Sequence, residues 1–402
     1  MSKIQFGCLI TELPKSTLPA SAASEGGPYL FICSSSIPKA TDSWMQNRPA
    51  VVMGTGGVAS VNFGVGQFSY STDTWAFRSN TEEYSTEFLY RKIQQNLSKI
   101  EYAGFEGSGL RHLRKDFVKS LIVDMPEPSV ASKITRILRV IDKTIEKTET
   151  LIKKYHLIKA GLMQDLFTRG VTSDGKLRPK CEQAPEIYQE TPLGWIPKEW
   201  NVALLDDIAK RGSGHTPSQS YPEYWNGGIK WLSLADSWRM DNYFVAESEK
   251  NISSAGLANS SASMLPAGTV VVTRDGSRLG KSAILKAEMA VSQHFMAWTC
   301  GSSLDNLFLY WTLQHRKREF ENVATGSTIP TIGLQFFKRF LVAHPDIGEQ
   351  KRIASVLGSC HEKIVSTQRE LEKLNLIKSG IMHDLLTYKV KLVPEQKGAA
   401  HV

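Results

Sequence analysis

The sequence predicts an α+β protein in which two globular mixed α/β domains, in a pseudo-two-fold arrangement, are separated by two long antiparallel coiled-coil helices. Three observations predict this fold class. The chain repeats itself at an offset of 219 residues, each copy ends in a long helical pattern, and the rest consists of short β-type runs between Gly, Ser, Pro and Asn clusters. The length of 402 residues also exceeds the roughly 100–200 residues of one domain.

The repeat is clearest where LIKAGLMQDLFT (157–168) recurs as LIKSGIMHDLLT (376–387), with eight of twelve positions identical. The register continues backwards without a gap, so that Ile134 matches Ile353 and Leu138 matches Leu357. Further upstream, FEGSGLRHLRKDFVKSLIV (105–123) falls on ATGSTIPTIGLQFFKRFLV (324–342). The chain is therefore a duplicated unit whose globular parts have diverged more than its helical parts.

The helical parts carry a stripe of apolar or near-apolar residues at steps that alternate between four and three, the period of a supercoiled helix pair. The positions are 134, 138, 141, 145, 148, 152 and 155, and again 353, 357, 360, 364, 367, 371 and 374. Prolines at 126, 128 and 345 mark the helix beginnings. If the two stripes bury each other, the second helix runs back along the first, as two rods of about 60 Å.

These patterns divide the chain into successive segments. They are a first globular domain at 1–125, a central long helix at 126–170, a polar linker at 171–190, a second globular domain at 191–345, a C-terminal long helix at 346–390 and a tail at 391–402.

Composition restricts the functional class only partly. The formal net charge of +8 fits a polyanionic partner, with a merely basic surface as the alternative. We find neither a signal peptide nor an apolar run approaching the roughly 18 residues of a membrane span, so we expect no membrane association and a cytoplasmic location. Five scattered cysteines predict reduced thiols rather than disulfides or a zinc site.

Catalytic motifs are incomplete. DGSRLGKS (275–282) resembles a phosphate loop, but Asp275 stands at the first glycine position. Pro345-Asp346 followed by Glu349 is spaced too closely for a nuclease site, and the histidines have no ligand spacing. We therefore expect no catalytic residue, no metal site and no bound cofactor in this chain.

Candidate nucleic-acid contacts remain. Arg274, Arg278 and Lys281 lie on a glycine-punctuated loop, from which Arg can reach guanine edges and Lys can reach phosphates, although a solvated hairpin is the alternative. Two further groups offer small polar or basic side chains at turns, and in the second group the differences between the two copies fit either readers of different sequences or neutral drift. They are Ser213, His215, Thr216 and Ser218 in one segment, and Ser108, Arg111, His112 and Arg114 with their counterparts Ser327 and Thr328 in the other.

The helix ends predict a docking surface. Gly161 and Gly380 lie inside helices, where glycine costs about 1 kcal/mol relative to alanine, which indicates close approach of the sister helix or of a partner. Apolar residues surround them in both copies, either to dock two copies of a partner or to pack on the adjacent domain. The main ones are Leu162, Met163 and Leu166 in the first copy and Ile381, Met382 and Leu385 in the second.

The segment LGWIPKEWNVALLDDIAKRGSGHTPSQSYPEYWNGGIKWLSLADS (193–237), with the two LIKxG(L/I)MxDLxT helix ends, resembles the specificity (S) subunit of type I restriction-modification systems. KSTLPASAASEGGPYLFICSSS (15–36) is similar to another class of target-recognition domain in that family. This adds Lys15, Ser34, Ser35 and Ser36 to the candidate DNA contacts. The resemblance covers nearly the whole chain, but the first domain begins without an IPxxW lead-in.

The resemblance implies a non-catalytic reader of double-stranded DNA. Each target-recognition domain would read one half of a split, asymmetric target, and the helices would set the gap and carry two methyltransferase (M) subunits. S-adenosylmethionine, and the ATP and Mg²⁺ used by restriction (R) subunits, would be bound by the partners. The alternatives are a single-chain DNA-modifying or DNA-cleaving enzyme and a coiled-coil scaffold without DNA contact.

Overall fold

The computed structural model describes residues 2–212, 214–326 and 330–392, and the chain divides into two compact units. Unit 1 contains the residues up to Thr150 and those from Gln368 onward, and unit 2 is Leu151–Thr367. Each unit therefore combines one globular domain with a part of both long helices.

Unit 1 has mixed α/β structure, in which a four-stranded sheet of order β2-β8-β5-β6 and a three-stranded sheet of order β4-β3-β7 are found within the described residues. Its strands are β1 Ser2–Gln5, β2 Ile10–Glu12, β3 Tyr29–Ile32, β4 Lys39–Thr41, β5 Ala50–Gly54, β6 Val61–Gly64, β7 Phe68–Tyr70, β8 Thr74–Ser79, β9 Phe105–Glu106, β10 His112–Leu113 and β11 Ile122–Met125. Its helices are α1 Thr86–Ala103, α2 Lys115–Ser120 and the first part of α3, Pro128–Thr168.

Unit 2 contains a five-stranded sheet of order β15-β22-β19-β20-β17 and a three-stranded sheet of order β18-β16-β21, again counted over the described residues. Its strands are β12 Tyr188–Thr191, β13 Gly194–Pro197, β14 Asn201–Leu204, β15 Ala209–Gly212, β16 Trp225–Leu232, β17 Phe244–Val245, β18 Lys250–Ile252, β19 Val270–Thr273, β20 Ser282–Leu285, β21 Ala290–Val291, β22 Phe295–Cys300 and β23 Leu341–His344. Its helices are α4 Leu205–Ile208, α5 Ser254–Ala258, α6 Asn306–His315, α7 Lys317–Val323, α8 Leu334–Lys338 and the first part of α9, Ile347–Leu386.

The two units share one plan around a buried central strand. In unit 1, β5 lies antiparallel between β8 and β6, with Val51 opposite Phe77. In unit 2, β19 lies antiparallel between β22 and β20, with Val270 opposite Trp298. Every residue of β5 and β19 is buried, so the apolar runs that the sequence repeats become the centres of both domains.

The long helices begin and end within four residues of the predicted bounds, and the predicted stripes are buried or half-buried along their length. In unit 1 the beginning of α3, around Ile134 and Leu138, shares a core with Leu385 near the end of α9. In unit 2 Leu166, near the end of α3, shares a core with Ile353 and Leu357 near the beginning of α9. Within each unit the two helices therefore run in opposite directions, and the α+β fold class is confirmed.

The segment 171–190, predicted as a linker, is exposed at 11 of its 20 residues but is attached to unit 2 through three buried positions. Val171 and Tyr188 are each 3% exposed, and the guanidinium of Arg178 donates to both carboxylate oxygens of Glu349 at 2.6 and 2.9 Å. The backbone N–H of Val171 donates to the same carboxylate at 2.8 Å. Most polar residues of this segment face solvent, as expected of a linker, while Arg178 and the backbone of Val171 attach it to Glu349.

The end of α9 is attached to unit 1. Tyr388 donates from its hydroxyl to the carbonyl of Asp124 at 2.8 Å, and the ammonium of Lys92 donates to the carbonyl of Leu386 at 3.0 Å. Burial lowers the pKa of Lys92 to about 8. The predicted tail at 391–402 lies outside the described residues from position 393 onward.

We expect Glu349→Ala to destabilise unit 2 by about 3–5 kcal/mol, because it leaves the Arg178 guanidinium buried without its main counter-charge. Urea denaturation followed by tryptophan fluorescence measures this, since seven of the nine tryptophans lie in 151–367. The control is Glu199→Ala, which removes the exposed carboxylate on the same arginine and is expected to cost less than about 1 kcal/mol. Equal losses of unfolding free energy in the two variants would contradict the stabilising role given to the Arg178–Glu349 pair.

Candidate nucleic-acid interface

Three loops meet at the end of the central strand in each unit, and the same backbone hydrogen bonds hold them together. In unit 2 the N–H of Arg274 donates to the carbonyl of His294 and the carbonyl of Arg274 accepts from the N–H of Ile332, both at 2.9 Å. The N–H of Gly276 donates to the carbonyl of Pro330 at 3.1 Å. We call these loops, at 274–277, 292–294, 325–326 and 330–332, the strand-end cluster of unit 2.

Unit 1 has the equivalent cluster at 55–59, 71–73 and 107–113. The N–H of Thr55 donates to the carbonyl of Asp73 at 3.0 Å, and the carbonyl of Thr55 accepts from the N–H of Leu113 at 2.9 Å. The N–H of Gly57 donates to the carbonyl of Arg111 at 2.9 Å. The backbone framework is the same in both units, but the side chains at matching positions differ: Thr55 corresponds to Arg274, and Asp73 corresponds to His294.

The side chains of the unit 2 cluster form a polar group. It includes two residues, Gln293 and His294, that the sequence analysis did not predict as contacts. Asp275 contacts the His294 ring at 2.7 Å between Oδ2 and Nδ1, and Thr216 donates to the side-chain oxygen of Gln293 at 2.6 Å. Arg274 lies beside Asp275 with its side chain 22% exposed. Gln293 and His294 join this group through the pairing of β19 with β22, which no local sequence pattern reveals.

Only one of the three cations predicted on this loop lies in the cluster. Arg278 and Lys281 pair with Asp241 instead, the former at 3.2 Å. Burial lowers the pKa of Lys281, and the neighbouring Lys317 lowers it further.

The predicted segment at 212–218 lies next to the cluster. Thr216 joins it as described, and His215 and Ser218 are exposed. The carbonyls of these two residues accept hydrogen bonds from the indole N–H groups of Trp231 and Trp225, at 2.9 and 3.2 Å. Ser213, Ser327 and Thr328 lie outside the described residues.

In unit 1 the predicted residues fall into two groups. Arg111, exposed Ser108 and exposed His112 lie on the strand-end cluster, while Arg114 follows it and pairs with Glu106 at 2.5 Å. Lys15 lines a recess of about 310 Å³ together with His112, Thr55 and Lys115.

The serines near residue 35 have mainly supporting contacts. The hydroxyl of Ser34 accepts from the N–H of Gly56 at 3.2 Å and donates to the carbonyl of the same residue at 2.9 Å. It therefore supports the backbone of the 55–59 loop. Ser35 accepts from the N–H of Ile37, and Ser36 is exposed.

The helix ends present the same exposed surface in both units. Leu157 and Leu376 are each 75% exposed, and Ile158 and Ile377 are each 41% exposed. A Cβ added at Gly161 or Gly380 would meet nothing within 4 Å. We call the sets Leu157, Ile158, Gly161 and Leu376, Ile377, Gly380 the helix-end patches.

The contacts at the helix ends favour one of the two alternatives that the sequence left open in each case. The sister helix does not approach the two glycines in the described residues, so close approach by that helix does not explain them. The other predicted docking residues mainly pack inside their own unit: Leu162, Met163 and Leu166 on the core of unit 2, and Ile381, Met382 and Leu385 on the core of unit 1.

A lysine next to each patch contacts a different kind of neighbour in the two units. Lys378 pairs with Asp142 at 2.7 Å in unit 1, whereas Lys159 lies over the ring of Trp311 at 4.7 Å in unit 2. Burial lowers the pKa of Lys159, and burial together with Lys159 lowers the pKa of His361 to about 4.

The described residues contain neither a metal-ligand cluster nor a helix that could span a membrane. No group of three or more His, Cys, Asp or Glu side chains is placed to hold a metal ion in the part of the chain that the structure describes. Likewise, none of the described helices combines the length and the apolar character needed to cross a membrane.

Comparison with known proteins identifies relatives. A sequence model described as the type I restriction modification DNA specificity domain matches residues 197–376. The type I restriction enzyme MjaIX specificity subunit of Methanocaldococcus jannaschii is 28% identical over 192 residues, 47% of this chain and 44% of that protein. The MjaVIII specificity subunit of the same organism is 25% identical over 314 residues, 76% of this chain and 70% of that protein. The chain thus spans less than half the length of the first relative.

Among solved structures, the type I restriction-modification system S subunit from M. genitalium superposes with a TM-score of 0.63 at 15% identity. The superposition covers 96% of this chain and 95% of that one. At this identity the likeness shows the shared fold.

We expect Gly161→Ala and Gly380→Ala to raise the free energy of unfolding by up to about 1 kcal/mol each, because the new methyl group meets open space and alanine favours the helix. Urea denaturation of the isolated chain measures this. Gly170→Ala is the control: Gly170 has φ +67°, and its Cβ would collide with Glu349, Arg178 and Trp200, so this change should destabilise. A loss of stability in Gly161→Ala would show that the glycine serves a contact within the chain.

Proposed function

Because the chain belongs to the family of type I restriction-modification specificity subunits, we propose that it is the non-catalytic DNA-reading subunit of such an enzyme. Each strand-end cluster contacts one half of a bipartite, asymmetric target in double-stranded DNA. The protein acts in the cytoplasm as part of a larger assembly.

The observation that carries this proposal is the pair of clusters with one backbone framework and different side chains. Arg274 and Thr55 occupy the same place in the two hydrogen-bond networks, yet a guanidinium can donate to guanine and a threonine can contact a different base. Two modules of one plan with different reading groups fit a target whose halves differ. The net charge of +8 supports contacts with phosphates.

The long helices set the distance between the two half-sites. With 41 and 40 residues, α3 and α9 are each about 60 Å long. Their stripes are buried or half-buried along their length, which supports a gap of constant length in the target.

The helix-end patches bind methyltransferase subunits. Both patches expose the same leucine, isoleucine and glycine to the same extent, which supports two copies of one partner. An uncovered glycine lets a partner backbone approach closely. Restriction subunits join through this assembly, and S-adenosylmethionine, ATP and Mg²⁺ are bound by the partners.

The direct test is to map N6-methyladenine in a genome that expresses this chain with its methyltransferase partner. We expect one split motif with a constant gap, and Arg274→Ala should relax a single base position in one half and weaken binding about tenfold to a hundredfold. The control, Arg278→Ala, lies outside the cluster and should leave the motif unchanged. An unsplit motif, or no methylation that depends on this chain, would refute the proposal.

Docking is tested with Leu157→Asp and Leu376→Asp, which place a charge in one patch each. Each change should reduce the bound methyltransferase copies from two to one, and the double variant should bind none, as counted by native mass spectrometry. Val140→Asp is the matched control, because Val140 is a 61% exposed apolar residue on α3 outside both patches. Retention of two copies by the double variant would contradict the docking assignment.

A further inference from the structure

We propose that Val58 and Leu110 in unit 1 read the 5-methyl groups of thymine in the half-site that unit 1 contacts. This inference rests on the proposed function and extends it to one chemical feature of the substrate. It concerns two residues that no sequence motif indicated.

Both side chains project from the strand-end cluster of unit 1. Val58 is 71% exposed and Leu110 is 67% exposed. Val58 follows Gly57 and Leu110 precedes Arg111 in the chain. The N–H of Gly57 donates to the carbonyl of Arg111 at 2.9 Å. The hydrogen-bonded loops therefore carry both apolar tips on one rim.

Glu101, near the end of α1, holds this rim in place from both sides. Its carboxylate accepts from the backbone N–H of Ala59, which follows Val58. It also pairs with the guanidinium of Arg111, which follows Leu110. The two apolar side chains are thus presented to solvent by a braced backbone, and a retreat into the domain would break both contacts with Glu101.

Both basic and acidic side chains lie near the strand-end cluster, with Glu12 lining the same recess and Glu106 paired with Arg114. Lys15, His112 and Lys115 line the recess beside the cluster, and exposed Arg114 follows it in the chain. Two apolar side chains on polar loops do not form the wide apolar patch of a protein or membrane contact. They fit a ligand that offers small methyl groups, and among the four unmodified bases only thymine presents one in the major groove of DNA.

Unit 2 differs at the matching position. The residue that follows Gly276 is Ser277, where unit 1 has Val58 after Gly57, and the N–H of each glycine makes the equivalent hydrogen bond. The neighbouring reading groups of unit 2 are polar and include Arg274, Gln293 and His294. In the repeat register Leu110 corresponds to Ile329, which lies outside the described residues, so the expectation that unit 2 does not read methyl groups rests on Ser277 and these polar groups.

The test uses the complex of the full chain with its methyltransferase partner, bound to duplexes that carry the split motif. Deoxyuridine replaces thymine in one half at a time, which removes only the 5-methyl group. We expect the affinity to fall about fourfold for each substituted thymine in the unit 1 half, as for loss of one buried methyl group, and to stay unchanged in the other half.

The double variant Val58→Ala, Leu110→Ala should bind thymine and uracil duplexes equally and so identify the unit 1 half. Ile122→Ala, which trims a 61% exposed apolar residue of unit 1 on β11, is the control and should keep the discrimination. Equal binding of thymine and uracil duplexes by the unmodified complex would overturn the inference. So would discrimination between them that persists in the double variant, or a motif that has no thymine in the half contacted by unit 1.

These outcomes are separable from failure of the proposed function. A complex that methylates a split motif but ignores the thymine methyl group refutes only the role of Val58 and Leu110. A complex that recognises no split motif refutes the proposed function itself.

Discussion

The backbone hydrogen bonds at the end of the central strand are the constraint on which the proposed DNA-reading role depends. Thr55 and Arg274 each use their own N–H and carbonyl to join the two neighbouring loops, at distances between 2.9 and 3.0 Å. Since main-chain groups hold the loops together, the side chains there can change without loss of the framework. A duplicated domain can thus keep its fold while its two copies acquire different contact surfaces.

The helix ends differ from the strand-end clusters, in which the exposed side chains vary. At the helix ends the exposed residues are the same in both units and the inner contacts vary. The exposed leucine, isoleucine and glycine are the same in both patches, whereas the lysine beside them contacts Asp142 in unit 1 and Trp311 in unit 2. Lys378 pairs with a residue of the long helix α3, whereas Lys159 contacts helix α6 of the globular domain, so the inner contacts of the two copies differ. An outer surface that stays the same in spite of this divergence fits one shared partner, as proposed above.

Buried polar contacts attach the largely exposed segment 171–190 to unit 2. A run of polar residues without periodicity is typical of a solvated linker, and such a run gives no sign of a distant counter-charge. Here Glu349, which begins the second long helix, accepts from Arg178 and from the backbone of Val171, and this attaches the segment to unit 2. The partners are about 170 residues apart in the chain, so only the folded structure pairs them.

The sequence by itself determined the duplication, the two long helices with their buried stripes, and the mixed α/β character of the domains. These features depend on local periodicity and on a repeated register, and both can be recognised in the linear sequence. Only the tertiary structure decided which cations lie together: Arg274 joins His294 across β19 and β22, while Arg278 and Lys281 turn to Asp241. It also decided that Gly161 faces open space and that Glu101 braces the rim of Val58 and Leu110. Such contacts depend on strand pairing and helix packing between distant residues, which local pattern does not encode.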